Sequence, residues 1–308
     1  MTVKDTYGTD ILITGWAHTP FGKLSEFDLE ALIVDVATRA VADAGLEFSD
    51  IDAIYVGQFN SGMVPLAFVS SLALQASDSL FSVPAVHVEN ACASGSAAVQ
   101  QGITALLAGT ARTVLVIGAE KMTHATPAVV GAGLLGADYE MAGHESVTGF
   151  AGLFADVARA YSDRYGDCSD TLALIAAKSH HLAMDNPYAH LRKDFDYEFC
   201  RTPSERNPLV ADPLRRTDCS PVSDGAAAVV LTTTPSSDAA HPAVRITGFG
   251  AANDFHPASK RDPLAFRGTA AAWDRALAMA GVTVDDLSLI ELHDCFTIAE
   301  LNLYEVLG

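Results

Sequence analysis

The sequence predicts a layered α/β protein, on three observations. Apolar runs of strand length alternate with amphipathic helices over the first 120 residues. One stretch of chain recurs 236 residues further on. A cysteine, Cys92, stands where an apolar run gives way to a run of very small residues.

Residues 11–15, 51–57, 83–89, 113–119 and 226–233 read as buried strands, with helices at 28–44, 63–76 and 93–108 between the first four. Strands alternating with helices in this way predict a mostly parallel sheet with helices on its faces. From about 120 to 217 the chain turns polar and Gly-rich, with helical periods at 151–165 and 170–184, the second broken by Asn186-Pro187. An insertion of that length between two strands of one sheet reads as a lid or substrate-binding subdomain. The segment Thr234 to Pro242, rich in Ser and Pro, reads as a linker between two halves.

The repeat aligns 40–56 on 276–292 without a gap. Ala40/Ala276, Ala42/Ala278, Ala44/Ala280, Gly45/Gly281, Asp50/Asp286 and Ile54/Ile290 are identical. Each copy reads as an amphipathic helix closed by Gly at its C′ position, a loop carrying Asp, and an apolar strand. Two copies so far apart imply a duplicated domain and not a solenoid. In the first copy Cys92 follows the strand; in the second, the equivalent segment is expected beyond Gly308, so the chain reads as truncated, or as completed by another subunit.

With 308 residues, 49% of them hydrophobic, the chain can bury a large core. Six Lys and thirteen Arg against thirty-eight acids give a formal charge of −19, which argues against nucleic acid or an anionic membrane as the main partner. No apolar run approaches the ~18 residues of a membrane span, and the N-terminus lacks the pattern of a signal peptide. The five cysteines have no Cys-x-x-Cys spacing, as expected of reduced thiols in a cytoplasmic enzyme.

The run His87-Val-Glu-Asn-Ala-Cys-Ala-Ser-Gly-Ser-Ala-Ala98 carries the chemistry. A lone cysteine is by default a small buried hydrophobe. At a strand-to-helix junction, however, the unpaired N–H groups of the first helical turn favour a thiolate, and Cys92 is expected there with a lowered pKa. The small residues after it leave room for another backbone or a substrate. Arg192, Lys193, Arg201, Arg206, Arg215 and Arg216 concentrate six of the nineteen cations in one stretch of 25 residues. Each is a solvated surface charge or a contact to a phosphate. His180-His181 has no third ligand at metal spacing and implies no metal site. Asp224-Gly225 reads as a tight turn feeding the 226–233 strand, and Cys219 as a packed thiol.

Thr19-Pro-Phe-Gly22, Glu89-Asn-Ala-Cys-Ala-Ser-Gly95, Asn186-Pro-Tyr-Ala189, Ser220-Pro-Val-Ser-Asp-Gly-Ala226 and Glu291-Leu-His-Asp-Cys-Phe296 together resemble the thiolase superfamily, and within it the sterol-carrier-protein-type branch. The resemblance implies duplicated βαβαβαββ halves in a five-layered α-β-α-β-α structure with an inserted loop subdomain. It assigns residues 1–237 to an N-terminal half, the insertion at about 120–217 included, and 238–308 to a partial C-terminal half. It further implies a cytoplasmic acyltransferase of lipid metabolism. Acyl-CoA and coenzyme A would be its substrates, with no permanently bound cofactor, and a homodimer its usual state.

By the same resemblance Cys92 is the residue acylated by substrate. His293, standing where many thiolases have Asn, helps to form an oxyanion hole for the thioester carbonyl; such a donor is worth roughly 3 kcal/mol of barrier. Phe296 would wall the pantetheine channel, although a core aromatic is an equal reading. The Gly-His-Pro histidine and the Cys-x-Gly cysteine that usually complete a thiolase site do not occur in the chain. Two alternatives therefore stand beside thiolysis or Claisen condensation: a condensing or aldolase-like homologue that works with a small partner protein, and a non-catalytic CoA-binding homologue.

Overall fold

The computed structural model describes residues 2–308, which form two compact units. In chain order the strands are β1 (Ile11–His18), β2 (Ala53–Gly57), β3 (Ala85–Val88), β4 (Thr113–Glu120), β5 (Leu209–Ala211), β6 (Leu214–Arg215), β7 (Gly225–Thr232) and β8 (Val244–Ile246). The helices are α1 (Val3–Tyr7), α2 (Leu29–Asp43), α3 (Ser94–Leu107), α4 (Pro127–Leu135), α5 (Gly149–Tyr165), α6 (Ser169–Leu182), α7 (Tyr197–Arg201), α8 (Arg267–Ala280) and α9 (Thr297–Leu307).

Among the described residues the first unit comprises 2–126, 223–249 and 275–282. Its sheet has the order β3-β2-β4-β7-β1-β8. Strand β4 is apolar at every position from Val114 to Ile117 because both of its faces are covered. Leu115 and Ile117 pack with Leu32, Ile33 and Val36 of α2, and Val114 and Val116 pack with Ala98, Ile103 and Leu106 of α3. Helix α2 starts where the Asp28 carboxylate accepts from Ala31 N (2.8 Å), and it buries Leu29, Leu32, Ile33, Val36, Ala37 and Ala40 at helical spacing.

The sheet is not mostly parallel. Only β2 pairs in parallel, with β3 and β4; β7 is antiparallel to both β4 and β1, and β8 is antiparallel to β1. Apolar content locates a strand but carries no direction, and the 127–222 excursion between β4 and β7 hides which way the chain re-enters the sheet.

The predicted helix at 63–76 is also corrected: only Val69–Ala76 is helical, and as a 3₁₀ segment. The Asn60 side chain clamps Val64, accepting from its N–H (2.7 Å) and donating to its carbonyl (2.9 Å). Pro65 then supplies no N–H, so helix can begin only beyond it.

The duplication is visible in the backbone. Gly45 and Gly281 both take positive φ (62° and 71°), and each is followed by a 3₁₀ turn closed by a capping box, at Glu47/Asp50 and Thr283/Asp286. The shared alanines have a packing reason. A Cβ on Gly15 would lie 2.4 Å from the Ala40 carbonyl oxygen and 2.7 Å from the Ala44 Cβ; one on Gly248 would lie 2.3 Å and 3.0 Å from the same atoms of Ala276 and Ala280. Backbone meets helix in both copies with no space for larger side chains. The copies part after the 3₁₀ turn: β2 follows the first, whereas 287–293 is irregular and its Leu289 is 75% exposed. A strand exists only by pairing, and this segment has no ladder partner among the described residues.

The second unit comprises 127–222, 250–274 and 283–308. Helices α5, α6 and α9 and the β5–β6 hairpin enclose a core of Ala155, Ala158, Leu172, Leu214, Ile298 and Leu301. Buried Arg215 is bound by Asp218 (2.8 Å) and by the carbonyls of Arg201 and Ser169, while Thr297 donates to the other oxygen of Asp218 (2.9 Å). Arg215 is thus committed to the fold and not open to a phosphate. Arg192 caps the Met184 carbonyl, Arg201 pairs with Asp170, and Arg206 lies over the Phe199 ring.

Candidate active site

Cys92 lies in a tight turn between β3 and α3. The Glu89 carboxylate accepts from Ala91 N (2.5 Å), Ala91 takes φ 47°, and the Ser94 hydroxyl accepts from Asn90 N (2.9 Å) while donating to the Ala91 carbonyl (2.7 Å). A non-glycine residue in the left-handed region costs of order 1 kcal/mol and persists only where its surroundings fix it. Here the hydrogen bonds of Glu89 and Ser94 do so, and they present Cys92 as an exposed residue. The space beneath is closed by bare backbone: a Cβ at Gly57, the last residue of β2, would meet the Ser94 carbonyl at 2.5 Å.

The expected stabilisation of the thiolate is not found. Helix α3 begins at Ser94 with Ala93 as its cap, so Cys92 stands outside the first turn, where the end of a helix acts weakly. Although the residue is exposed, the protein packed around the sulfur pushes its thiol up; the Cys92 backbone hydrogen bond opposes this and the Glu120 carboxylate adds to it.

Glu120, which sequence reasoning missed, ends β4. It accepts from Phe59 N (3.0 Å) and Asn60 N (3.2 Å), with Gln58 Nε2 at 3.5 Å. Burial raises its pKa despite these bonds. Asp224 was read only as a turn residue, yet it is fully buried. It takes hydrogen bonds from Leu24 N, Lys121 Nζ, Met122 N, Thr123 N and the Thr123 hydroxyl, at 2.6–3.0 Å. Burial alone would raise this carboxyl, but the Lys121 ammonium and the Thr123 and Met122 donors hold it far below the carboxylate range. A charged residue directly following an apolar strand (Glu120), or directly preceding one (Asp224), was the signal available in the sequence.

His293 and Phe296 belong to the second unit. His293 is exposed. Phe296 is buried, stacked on Phe154 at 4.3 Å and tilted against Phe150 at 6.0 Å, and is therefore a core aromatic of that unit. Cys219 is partly buried, and desolvation pushes its thiol up to about 12. His180 packs edge-on against Phe195. Among the described residues no group of three or more His, Cys, Asp or Glu side chains is placed to hold a metal ion.

Comparison with known proteins matches this arrangement to two family models: Thiolase, N-terminal domain, over residues 11–235, and Thiolase C-terminal domain-like, over 250–308. Acetyl-CoA acetyltransferase of Methanothermobacter thermautotrophicus is 35% identical over 97% of this chain and 77% of its own length. Sterol carrier protein 2 of Gallus gallus is 27% identical over 97% of this chain and 56% of its own. Among solved structures, the Ltp2-ChsH2(DUF35) aldolase superposes with a TM-score of 0.74 at 23% identity, covering 97% of this chain and 77% of that one. That likeness carries the fold, and the family models and the 35% relative carry membership: the chain belongs to the thiolase family of acyltransferases and has the thiolase fold.

Proposed function

We propose that Cys92 carries the acyl group in a ping-pong reaction of acyl-CoA, either thiolysis of a 3-oxoacyl-CoA or Claisen condensation. The observation that supports this most is the constrained turn that presents Cys92 to solvent. In thiolysis the sulfur attacks the 3-oxo carbonyl, the bond between C2 and C3 breaks, and the Cys92 proton goes to the departing C2 carbanion; in condensation it attacks the thioester carbonyl, the C–S bond to coenzyme A breaks, and the Cys92 proton leaves with the CoA thiol. The acyl group then passes from Cys92 either to a free CoA thiol, or to the α-carbon of an acyl-CoA; in each case the Cys92–acyl bond breaks and the thiol or α-proton displaced ends on the Cys92 sulfur. His293, by its motif, supplies a donor to the oxygen on which charge develops. Coenzyme A enters as substrate, and no cofactor is permanently held.

The reading also places the enzyme in the cytoplasm, in lipid metabolism, and as a homodimer. Its five cysteines have no Cys-x-x-Cys spacing, and among the described residues no helix is long and apolar enough to cross a membrane. Self-association is supported by β3, which ends the sheet with its outer edge unpaired among the described residues and Val86 48% exposed.

Incubation with acetyl-CoA or a 3-oxoacyl-CoA followed by intact-mass measurement is expected to show one acyl adduct, mapped to Cys92 and absent from Cys92→Ser. An unmodified protein under turnover conditions would refute the proposal. A second polypeptide co-purifying in stoichiometric amount would favour the aldolase-like alternative, for which the relative is a complex named Ltp2-ChsH2(DUF35) aldolase.

A further inference from the structure

The ends of three neighbouring strands converge on the turn that holds Cys92. A Cβ at Gly118 of β4 would lie 4.0 Å from Gly95 Cα, so this face of β4 looks onto the start of α3, and Glu120, two residues on, shares that face. Gln58 follows β2 and is 1% exposed; its Nε2 reaches toward Glu120, while its Oε1 has no hydrogen-bond partner. His87 of β3 bonds the Gln58 carbonyl (2.9 Å). Among the described residues no cation pairs with Glu120: the adjacent Lys121 ammonium is turned to Asp224 and the Leu24 carbonyl, at 2.7 Å each. The remaining charge in the turn, Glu89, is occupied with Ala91 N. The Glu120 carboxylate therefore sits in a poorly solvated place with N–H donors but no ion pair among the described residues, on the face of β4 toward the Cys92 turn and within electrostatic reach of the thiol.

We propose that Glu120 is a positioning residue that acts through Cys92: its carboxylate pins residues 58–60 beside the turn, and its negative charge on the face of β4 toward the turn opposes the build-up of a second negative charge on the Cys92 sulfur. The catalytic meaning rests on Cys92 being the nucleophile, but the test reads the thiol directly, so the two ideas fail separately. Neutralising the Glu120 charge makes the Cys92 anion easier to form, while the packing around the sulfur continues to oppose it.

The experiment is alkylation of Cys92 by iodoacetamide, followed at the Cys92 peptide by mass spectrometry. The thiolate displaces iodide and the thiol proton goes to solvent. Glu120→Gln keeps an oxygen that can accept from Phe59 N and Asn60 N but removes the charge. At pH 7 it is expected to react about two- to tenfold faster than the wild type, since one pKa unit is a tenfold change in thiolate fraction. Glu120→Asp, which keeps the charge, is expected to stay within about twofold of the wild type. In the wild type, the plot of log rate against pH is expected to have a slope below one while Glu120 titrates, above the ordinary carboxylate range, because the two groups are coupled. A smaller gain for Glu120→Gln, an equal gain for Glu120→Asp, or unit slope throughout would each overturn the proposal. Should Glu120→Gln fail to fold, the wild-type slope alone decides.

Discussion

At Cys92 two effects of the fold oppose each other. The turn over residues 89–94 presents the side chain, while packing and the Glu120 charge hold its proton. Cys92 was legible as the candidate nucleophile because the run around it is so depleted of side chains that little except close backbone approach explains it. Its protonation was not legible, because Glu120 is 28 residues away in sequence and only sheet register brings it near. Arg215 teaches the same lesson in reverse: a cation in a basic stretch is consumed by Asp218 and two carbonyls. His293 is exposed and packs into no core, so its replacement tests chemistry without disturbing the fold. For His293→Ala we expect kcat/KM for acyl transfer to fall roughly 10²-fold, mostly in kcat, with an unchanged melting temperature. A variant as active as the wild type would remove His293 from the reaction.

Among the elements, α2 and α8 were read correctly from period and punctuation, and the packing shows why their alanines are shared. Ala40 and Ala44 face Gly15 as Ala276 and Ala280 face Gly248. The 63–76 segment misled because its apolar spacing is helical while Asn60, outside the window, takes the backbone groups of Val64. The β4–β7 pair is locked by Asp224, whose buried charge is matched by Lys121 and Thr123. Asp224→Asn leaves the Lys121 ammonium buried without its counter-charge and is expected to cost about 3–5 kcal/mol at pH 7 in urea unfolding. The Asp224 pKa is lowered in the fold from 3.8, so its contribution is complete above that value and is lost as pH falls through the folded value. The gap between variant and wild type should therefore persist at pH 5 and narrow only in strong acid. A gap below about 1 kcal/mol at pH 7 would mean the pair is neutral to stability.

For the whole molecule, charge and edge geometry set the expectations. An acidic chain of net −19 repels its copies at long range, so self-association must rest on a local surface, and the unpaired β3 edge is the one proposed above. Val86→Lys places a charge on that edge and is expected to convert a dimer to a monomer in sedimentation velocity at micromolar concentration, with the far-UV spectrum unchanged. A variant that remains dimeric would move the interface elsewhere. What the sequence alone determined was the place of β1, β2, β3, β4 and β7 and of α2, α3, α5 and α6, that a helix–turn unit recurs, and that Cys92 is set apart, because hydrophobic period, glycine stops and side-chain size are local properties. Tertiary structure alone decided the direction of β7, the absence of a strand at 287–293, the buried ion pairs and the charge that faces Cys92. Each depends on which distant segment lies alongside, and pairing partners and electrostatic neighbours are properties of position in space rather than of order along the chain.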